Sequence, residues 1–450
     1  KKIISAAAAA SIAVLSLSAV FTSAQSISYT ANDLSKLRNF LLNTSEDTDT
    51  FDLNSDGIID SLDLAAMRMS VQTSYDEAVE QNIAPVEDNV KIIGRTCRTD
   101  DITWLVQSGS ATEFTVSGTS ASVTLAGDWG IEASADYRPR YAILLDDEVI
   151  VDATLSTAEE TITVFEGNTP RNAKIKVIHL SEANNGAIGV KNICVNSASA
   201  DPVNPTAKKD LSIEFIGDSI TAAGGYKGWS GELEEHYYIN RYNIGAGGTS
   251  YAQITGRGQI FSQTNNIPSG VNVDFFILNG GVNDIWSAIE DLGSVSDIPV
   301  ATATVNDFDT TTTAGGMEQI FCYLRTNYPN AKIGFVITYN CFDSGFDAVR
   351  YRDEFVPLAK AICEKWSVPY LDLVNNDAFN AEFNALPGYH TYDGVHANDV
   401  GYDLVMRQMA PWILSMIPAT EASEQNSDLW GYANYEWSNQ DWSGEGVLSY

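Results

Sequence analysis

Between residues 90 and 199 the chain alternates apolar and polar positions in short runs: "TEFTVSG", "SASVTLAG", "RYAILLDDEVIVDATL", "ETITVFEG", "AKIKVIHL" and "AIGVKNICV". A period of two turns one face of each strand to a core and the other to water, and turn signals such as Asp146-Asp147 separate the runs. This stretch predicts an antiparallel β-sandwich of the jelly-roll type. Past "SASADPVNPTAKKD", a linker by its prolines and small polar residues, the rhythm changes. Near-continuous apolar runs ("LSIEFIG", "YYINRYNIG", "VDFFILNGG", "AKIGFVITY", "VPYLDLV") alternate with helix-period runs ("GMEQIFCYLRTNY", "YRDEFVPLAKAICEKW", "VGYDLVMRQMAPWILSMI"). Strands apolar on both faces need cover on both, so residues 209–417 predict a three-layer α/β domain with a parallel sheet.

A chain of 450 residues exceeds one hydrophobic core, so a multidomain protein is expected. Its net charge of −33 repels phosphate backbones and anionic lipid alike, which argues against a nucleic-acid or membrane partner and leaves neutral ligands such as sugars. Residues 1–24, "KKIISAAAAASIAVLSLSAVFTSA", carry two lysines, an apolar stretch and a small-residue end, the layout of a secretory signal peptide. A secreted, extracellular protein is the expectation. Cys97 and Cys194 flank the β-rich region and admit pairing; free buried thiols are the other reading of the five cysteines. The tail 418–450 is acidic, aromatic and free of Lys and Arg, and shows no clean periodicity.

Residues 52–63, "DLNSDGIIDSLD", place oxygen-bearing side chains at loop positions 1, 3, 5, 9 and 12, namely Asp52, Asn54, Asp56, Asp60 and Asp63. Gly57 at position 6 permits a sharp turn and Ile58 at position 7 offers its carbonyl, which together wrap a hard cation in oxygens. Asp33-Leu34, Leu37 and Arg38 recur thirty residues on as Asp63-Leu64, Met67 and Arg68. This duplicated loop-helix unit, residues 25–80, resembles a dockerin, a small helical calcium-binding module that plugs secreted polysaccharide-degrading enzymes into cohesin scaffolds. The resemblance implies Ca2+ as a structural ion and a cohesin of a cellulosome as partner. The first copy aligns Thr22, Ala24 and Ser26 with ligand positions, which cannot hold calcium, so one ion is expected.

The apolar run "LSIEF" leads into "IGDSIT", where Ser219 reads either as a helix cap or as a nucleophile held on a strand-to-helix turn. The following strands end in "NIGAGGT", whose glycines let backbone N–H groups approach a ligand, and "NGGVND", which puts Asn283, an amide donor, at the same sheet edge. Of the four histidines, His179 falls in a sandwich strand and His236 in a helix; His396 alone has a carboxylate, Asp393, three residues earlier to fix its tautomer. His390 has none nearby in sequence.

These four blocks, "GDS", "NIGAGG", "GVND" and "DGVH", resemble the SGNH hydrolases, also called the GDSL esterase family. The resemblance implies Ser219 as nucleophile, an oxyanion hole from the Ser219 N–H, the Gly248 N–H (Gly247 is a close rival) and the Asn283 side chain, and a triad completed by Asp393 and His396. With a β-sandwich directly ahead, the pair looks like the family 2 carbohydrate esterases. That implies a carboxylic ester hydrolase acting on acetylated plant polysaccharide and needing no cofactor for catalysis. A lipase-like carboxylesterase on the same fold and a non-catalytic carbohydrate-binding component of a cellulosome are the rival readings.

Overall fold

The protein is described from a computed structural model, which covers residues 29, 31–42, 51–53, 58–76, 78–132, 138–181, 186–207, 211–222, 239–267, 270–384, 390–391 and 393–416. The expected signal peptide, Asn54, Asp56, Gly57, the His236 segment and the tail 418–450 lie outside the described residues.

Helices α1 (Ala31–Leu41) and α2 (Ser61–Asp76) are the two copies of the repeated unit. Leu37 and Met67, equivalent positions of the repeat, are fully buried together against Phe51. The Asp63 carboxylate, buried at the start of α2, accepts the backbone N–H of Leu53 on one oxygen and of Asp60 on the other, each at 2.8 Å. It thereby ties the two ends of the loop together.

Among the described residues, ten antiparallel strands follow: β1 (Val79–Ile83), β2 (Lys91–Ile93), β3 (Thr96–Thr99), β4 (Ile102–Leu105), β5 (Ala111–Gly127), β6 (Arg140–Leu145), β7 (Glu148–Thr154), β8 (Glu159–His179), β9 (Ile188–Ser197) and β10 (Val203–Pro205). "TEFTVSG" and "SASVTLAG" join into β5, and "ETITVFEG" and "AKIKVIHL" into β8, because register shifts around Gly118 to Ser122 absorb the break in alternation without ending the strand. The two β-rich halves therefore share one hydrogen-bonded sheet, in which β5 pairs along its whole length with β8 and in its second half with β9. Phe114, Val123, Ile143, Ile175, Val190 and Val195, from four of these strands, belong to one buried cluster. Asp146 and Asp147 both take positive φ, 51° and 72°, in the turn between β6 and β7. The sheet also reaches beyond the alternating runs. "EQNI", ahead of those runs, is part of β1 and pairs with β9, while "VNP" of the linker pairs with β5. Cys97 faces Trp104 on β4, which faces Gly189 on β9, five residues from Cys194. Two strand spacings, about 9.5 Å, already exceed disulfide reach, so these cysteines do not pair and all five are thiols.

The last domain is a five-stranded parallel sheet, β11 (Leu211–Ile216), β12 (Ile239–Asn243), β13 (Phe275–Asn279), β14 (Lys332–Ile337) and β15 (Tyr370–Asp372), in the order β12-β11-β13-β14-β15. Among the described residues its helices include α3 (Ser219–Ala222), α4 (Val282–Trp286), α5 (Thr313–Asn327), α6 (Val356–Trp366), α7 (Asp377–Phe383) and α8 (Asp399–Leu414). Phe275 to Leu278 and Ile333 to Ile337 are buried without alternation, as the covered sheet requires. Strand order reverses between β11 and β13, and crevices at such a reversal, at the carboxyl ends of the strands, are where this kind of sheet builds sites.

The two sheets meet through charged groups. Arg95, just beyond β2, pairs with Glu214 of β11 and lays its guanidinium 4.1 Å from the Tyr242 ring centre. Arg241 of β12 donates to the Gly109 carbonyl at 2.5 Å, and Gly109 leaves it room: a Cβ there would lie 2.2 Å from Arg241 Nη1.

Candidate active site

Ser219 is the first residue of α3, immediately beyond the β11 end. Gly217 makes the turn feasible, since a Cβ would fall 2.2 Å from Thr221 Oγ1 and 2.9 Å from the Asn279 carbonyl. Asp218 does the capping: its side chain accepts the Ile220 N–H at 3.0 Å and its carbonyl accepts those of Thr221 and Ala222. Ser219 is therefore not the cap, and its hydroxyl is left for another partner.

That partner is His396. The Ser219 Oγ to His396 Nε2 distance is 2.7 Å, and His396 Nδ1 lies 2.6 Å from Asp393 Oδ2. The Asp-Gly-Val-His segment forms a tight turn in which Asp393 Oδ1 accepts the N–H groups of Val395 and His396 at 2.8 and 2.7 Å. Gly394 sits at φ +84° with Asp343 N close by, a position only glycine takes without strain. Tyr339 clamps the segment from beneath, donating its hydroxyl to the Val395 carbonyl and accepting the Ala397 N–H, both at 3.0 Å. Burial raises the Asp393 pKa, but hydrogen bonds and charge from His396 and the two backbone N–H groups outweigh it and hold the carboxyl below its usual value. An ionised Asp393 fixes the tautomer in which Nδ1 carries hydrogen and Nε2 is free to take a proton from Ser219.

The residues expected from the sequence as oxyanion donors, Gly248 and Asn283, lie on the turns after β12 and β13. Gly248 is buried at φ +70° in the turn after β12. Asn283, on α4 beyond the β13 end, donates Nδ2 to the Thr249 carbonyl at 2.9 Å, which leaves one amide hydrogen. The Gly280-Gly281 pair, at φ +146° and +97°, turns the chain so sharply that a Cβ on Gly281 would lie 2.1 Å from the Phe355 ring. Asp284 is buried, accepting the N–H groups of Tyr251 and Ala252 and the Thr313 hydroxyl; it braces the turn, and burial raises its pKa. Asp218 is likewise buried and pushed up to about 6 by desolvation.

Ser219, His396 and Asp393 thus come together, with Gly248 and Asn283 on the neighbouring turns. His390 stays apart, its Nδ1 3.0 Å from the Phe383 carbonyl and its ring stacked on Phe383. His179 is buried at the end of β8. Two residues of the segment "GRGQIFSQ" were not singled out from the sequence, where that segment carries no strand or helix rhythm. Gln263 grips both the N–H and the carbonyl of Gly217, at 3.1 and 2.7 Å, and so holds the Ser219 turn. Arg257 donates to both Gly248 O and Asn283 Oδ1 at 3.2 Å.

A serine-histidine-aspartate chain at the switch point of a parallel sheet, behind an antiparallel domain, has the makings of a serine ester hydrolase. Residues 215–404 match the GDSL-like Lipase/Acylhydrolase family, and residues 92–202 match the Carbohydrate esterase 2 N-terminal domain. The two matches fall in turn on the antiparallel region and on the parallel-sheet domain, and together they support a carbohydrate esterase. Among solved structures, the chain is similar to a family two carbohydrate esterase from Cellvibrio japonicus, with 13% identity, 75% of this chain and 98% of that chain covered, and a TM-score of 0.57. It is also similar to a family two carbohydrate esterase from Clostridium thermocellum in complex with cellohexaose (16% identity, 73% and 98% covered, TM-score 0.53). A third is an acetyl xylan esterase from the rumen bacterium Butyrivibrio proteoclasticus (14% identity, 75% and 99% covered, TM-score 0.51). At such identities the likeness speaks for the fold. No curated protein matches the chain.

Proposed function

We propose that this protein is a secreted serine esterase that removes O-acetyl groups from plant cell-wall polysaccharides such as xylan, mannan or glucomannan. The observation that carries the reading is the continuous hydrogen-bonded path from Ser219 Oγ through His396 to Asp393, at 2.7 and 2.6 Å. His396 Nε2 takes the Ser219 proton as Oγ attacks the acetyl carbonyl; the tetrahedral oxyanion is met by the Ser219 and Gly248 N–H groups and the remaining Asn283 amide hydrogen. His396 then returns the proton to the departing sugar oxygen, and water, deprotonated by the same ring, releases acetate and frees Ser219. The sugar choice is supported by the carbohydrate esterase 2 match and by the charge of −33, which disfavours anionic substrates. Acetate release from acetylated xylan, mannan and glucomannan, with Ser219→Ala as control, tests it.

The reading extends to the N-terminal unit, where Asp52, Asn54, Asp56, Ile58, Asp60 and Asp63 would hold one Ca2+ and the paired helices would dock on a cohesin. Support comes from the loop spacing, the buried loop-closing Asp63 and the packing of Leu37 on Met67. The ion would supply charge compensation to an otherwise self-repelling acidic loop. Chelation is expected to lower the melting temperature of this unit and leave the other two transitions in place; a thermogram unchanged by chelator contradicts the site.

A further inference from the structure

From the hydrogen bonds of Arg257 we infer that it is a positioning residue for the oxyanion hole, acting through Asn283 and the Gly248 turn; the inference rests on the esterase reading above. One guanidinium nitrogen, Nη1, donates to the Gly248 carbonyl and to Asn283 Oδ1, each at 3.2 Å. Asn283 Nδ2 donates in turn to the Thr249 carbonyl at 2.9 Å. The contacts close a ring, Arg257 to Asn283 to Thr249 to Gly248 and back to Arg257, that couples two donors carried by turns after different strands.

Three consequences follow from the chemistry of that ring. The amide of Asn283 can stand only one way round: a flip would set its NH2 against the Arg257 donor and its oxygen against the Thr249 carbonyl. The remaining Nδ2 hydrogen is therefore aimed, not free to rotate. A cation on Oδ1 also draws charge from the amide, which makes that hydrogen a stronger donor as the oxyanion forms. Finally, the site is built beside two buried carboxyl groups, Asp218 and Asp284, in a strongly acidic chain. A guanidinium next to the hole offsets a field that would otherwise oppose a further negative charge. Arg257 does this half-buried in a loop, which is why no periodicity marks it.

The test is steady-state hydrolysis of 4-nitrophenyl acetate, an ester with no sugar and no carboxylate, by the full chain and by Ser219→Ala, Asn283→Ala, Arg257→Ala, Arg257→Lys and the Asn283→Ala/Arg257→Ala double variant. Arg257→Ala is expected to lose about tenfold or more in kcat, less than the roughly 10²–10³ expected for deleting the donor Asn283, with KM little changed. Arg257→Lys, which keeps the charge on a shorter, differently placed donor, falls between. Millimolar guanidinium chloride restores part of the Arg257→Ala rate and none of the Asn283→Ala rate, a rescue that a misfolded variant would not show. The double variant is slower than Asn283→Ala by less than the full Arg257→Ala factor, because the share of Arg257 that acts through Asn283 is already lost. The inference is overturned if Arg257→Ala turns over at the parental rate while Ser219→Ala is inactive, if its loss is in KM alone, or if its loss adds in full to that of Asn283→Ala. Parental activity in Ser219→Ala would instead overturn the esterase reading beneath it.

Discussion

The Ser219 hydroxyl is available because its neighbour does the work a helix-starting serine usually does. Asp218 caps α3 with its side chain and carbonyl, and Ser219 Oγ turns to His396 Nε2. Capping from inside the domain has a cost: Asp218 is fully buried, and burial lifts its pKa from 3.8 to about 6. The folded chain thus holds a proton on this group that the unfolded chain has released between those two values, so its contribution to stability falls as pH rises through that window. Asp218→Asn cannot ionise. Its thermal stability relative to the parent is expected to improve from pH 4 to pH 6, a window set by these two values; a parallel pair of curves contradicts this account. At this scale the sequence marked Ser219, Asp393 and His396 by short motifs at element boundaries, and the three side chains meet in one hydrogen-bonded path. It was silent on Arg257, Gln263 and Tyr339, whose roles depend on which loops the fold brings side by side.

Among the elements, glycine placement decides whether the strand ends can carry a site. The turn after β13 needs Gly281 at φ +97° against the Phe355 ring, and the turn after β11 needs Gly217 against Thr221. Gly281→Ala combines a left-handed backbone with a side chain 2.1 Å from Phe355, and is expected to cost at least about 2 kcal/mol and to displace Asn283. Denaturant titration with an activity assay checks it: stability and rate should fall together, and a variant with parental stability contradicts the packing argument. The alternating runs marked the strands but not their continuity. β5 and β8 carry their pairing through the Gly118 to Ser122 irregularities, and β1 and β10 add short stretches too polar or proline-bearing to read as strands. In those stretches pairing with a neighbour, not local pattern, makes the strand.

Across the whole molecule, the antiparallel domain is held to the catalytic candidate by charge. Glu214 is fully buried on β11, an inner strand of the parallel sheet; burial raises its carboxyl to about 7, and Arg95 opposes that rise. Removing Arg95 leaves a buried carboxylate without compensation, which typically costs about 3–5 kcal/mol. Arg95→Ala is therefore expected to destabilise the parallel-sheet domain strongly at pH 8 and much less at pH 5, where Glu214 takes up a proton, and Arg95→Ala/Glu214→Gln should recover most of the loss at pH 8. A loss independent of pH would mean that the contact is packing alone. Nothing in the sequence announced this pair, since Arg95 and Glu214 stand 119 residues apart in the chain. The division into an alternating β region and an α/β region was visible from hydrophobic period alone, because each rhythm follows from how many faces of a strand are covered.

The central claim is that Ser219 turns over acetyl esters of a polysaccharide through His396. Its most direct test is acetate released from acetylated xylan, mannan and glucomannan by the full chain and by Ser219→Ala. The account predicts release from at least one polysaccharide by the parent and a loss of about 10³-fold or more in the variant. Equal release by both, or none from any acetylated polysaccharide by the parent, would contradict it.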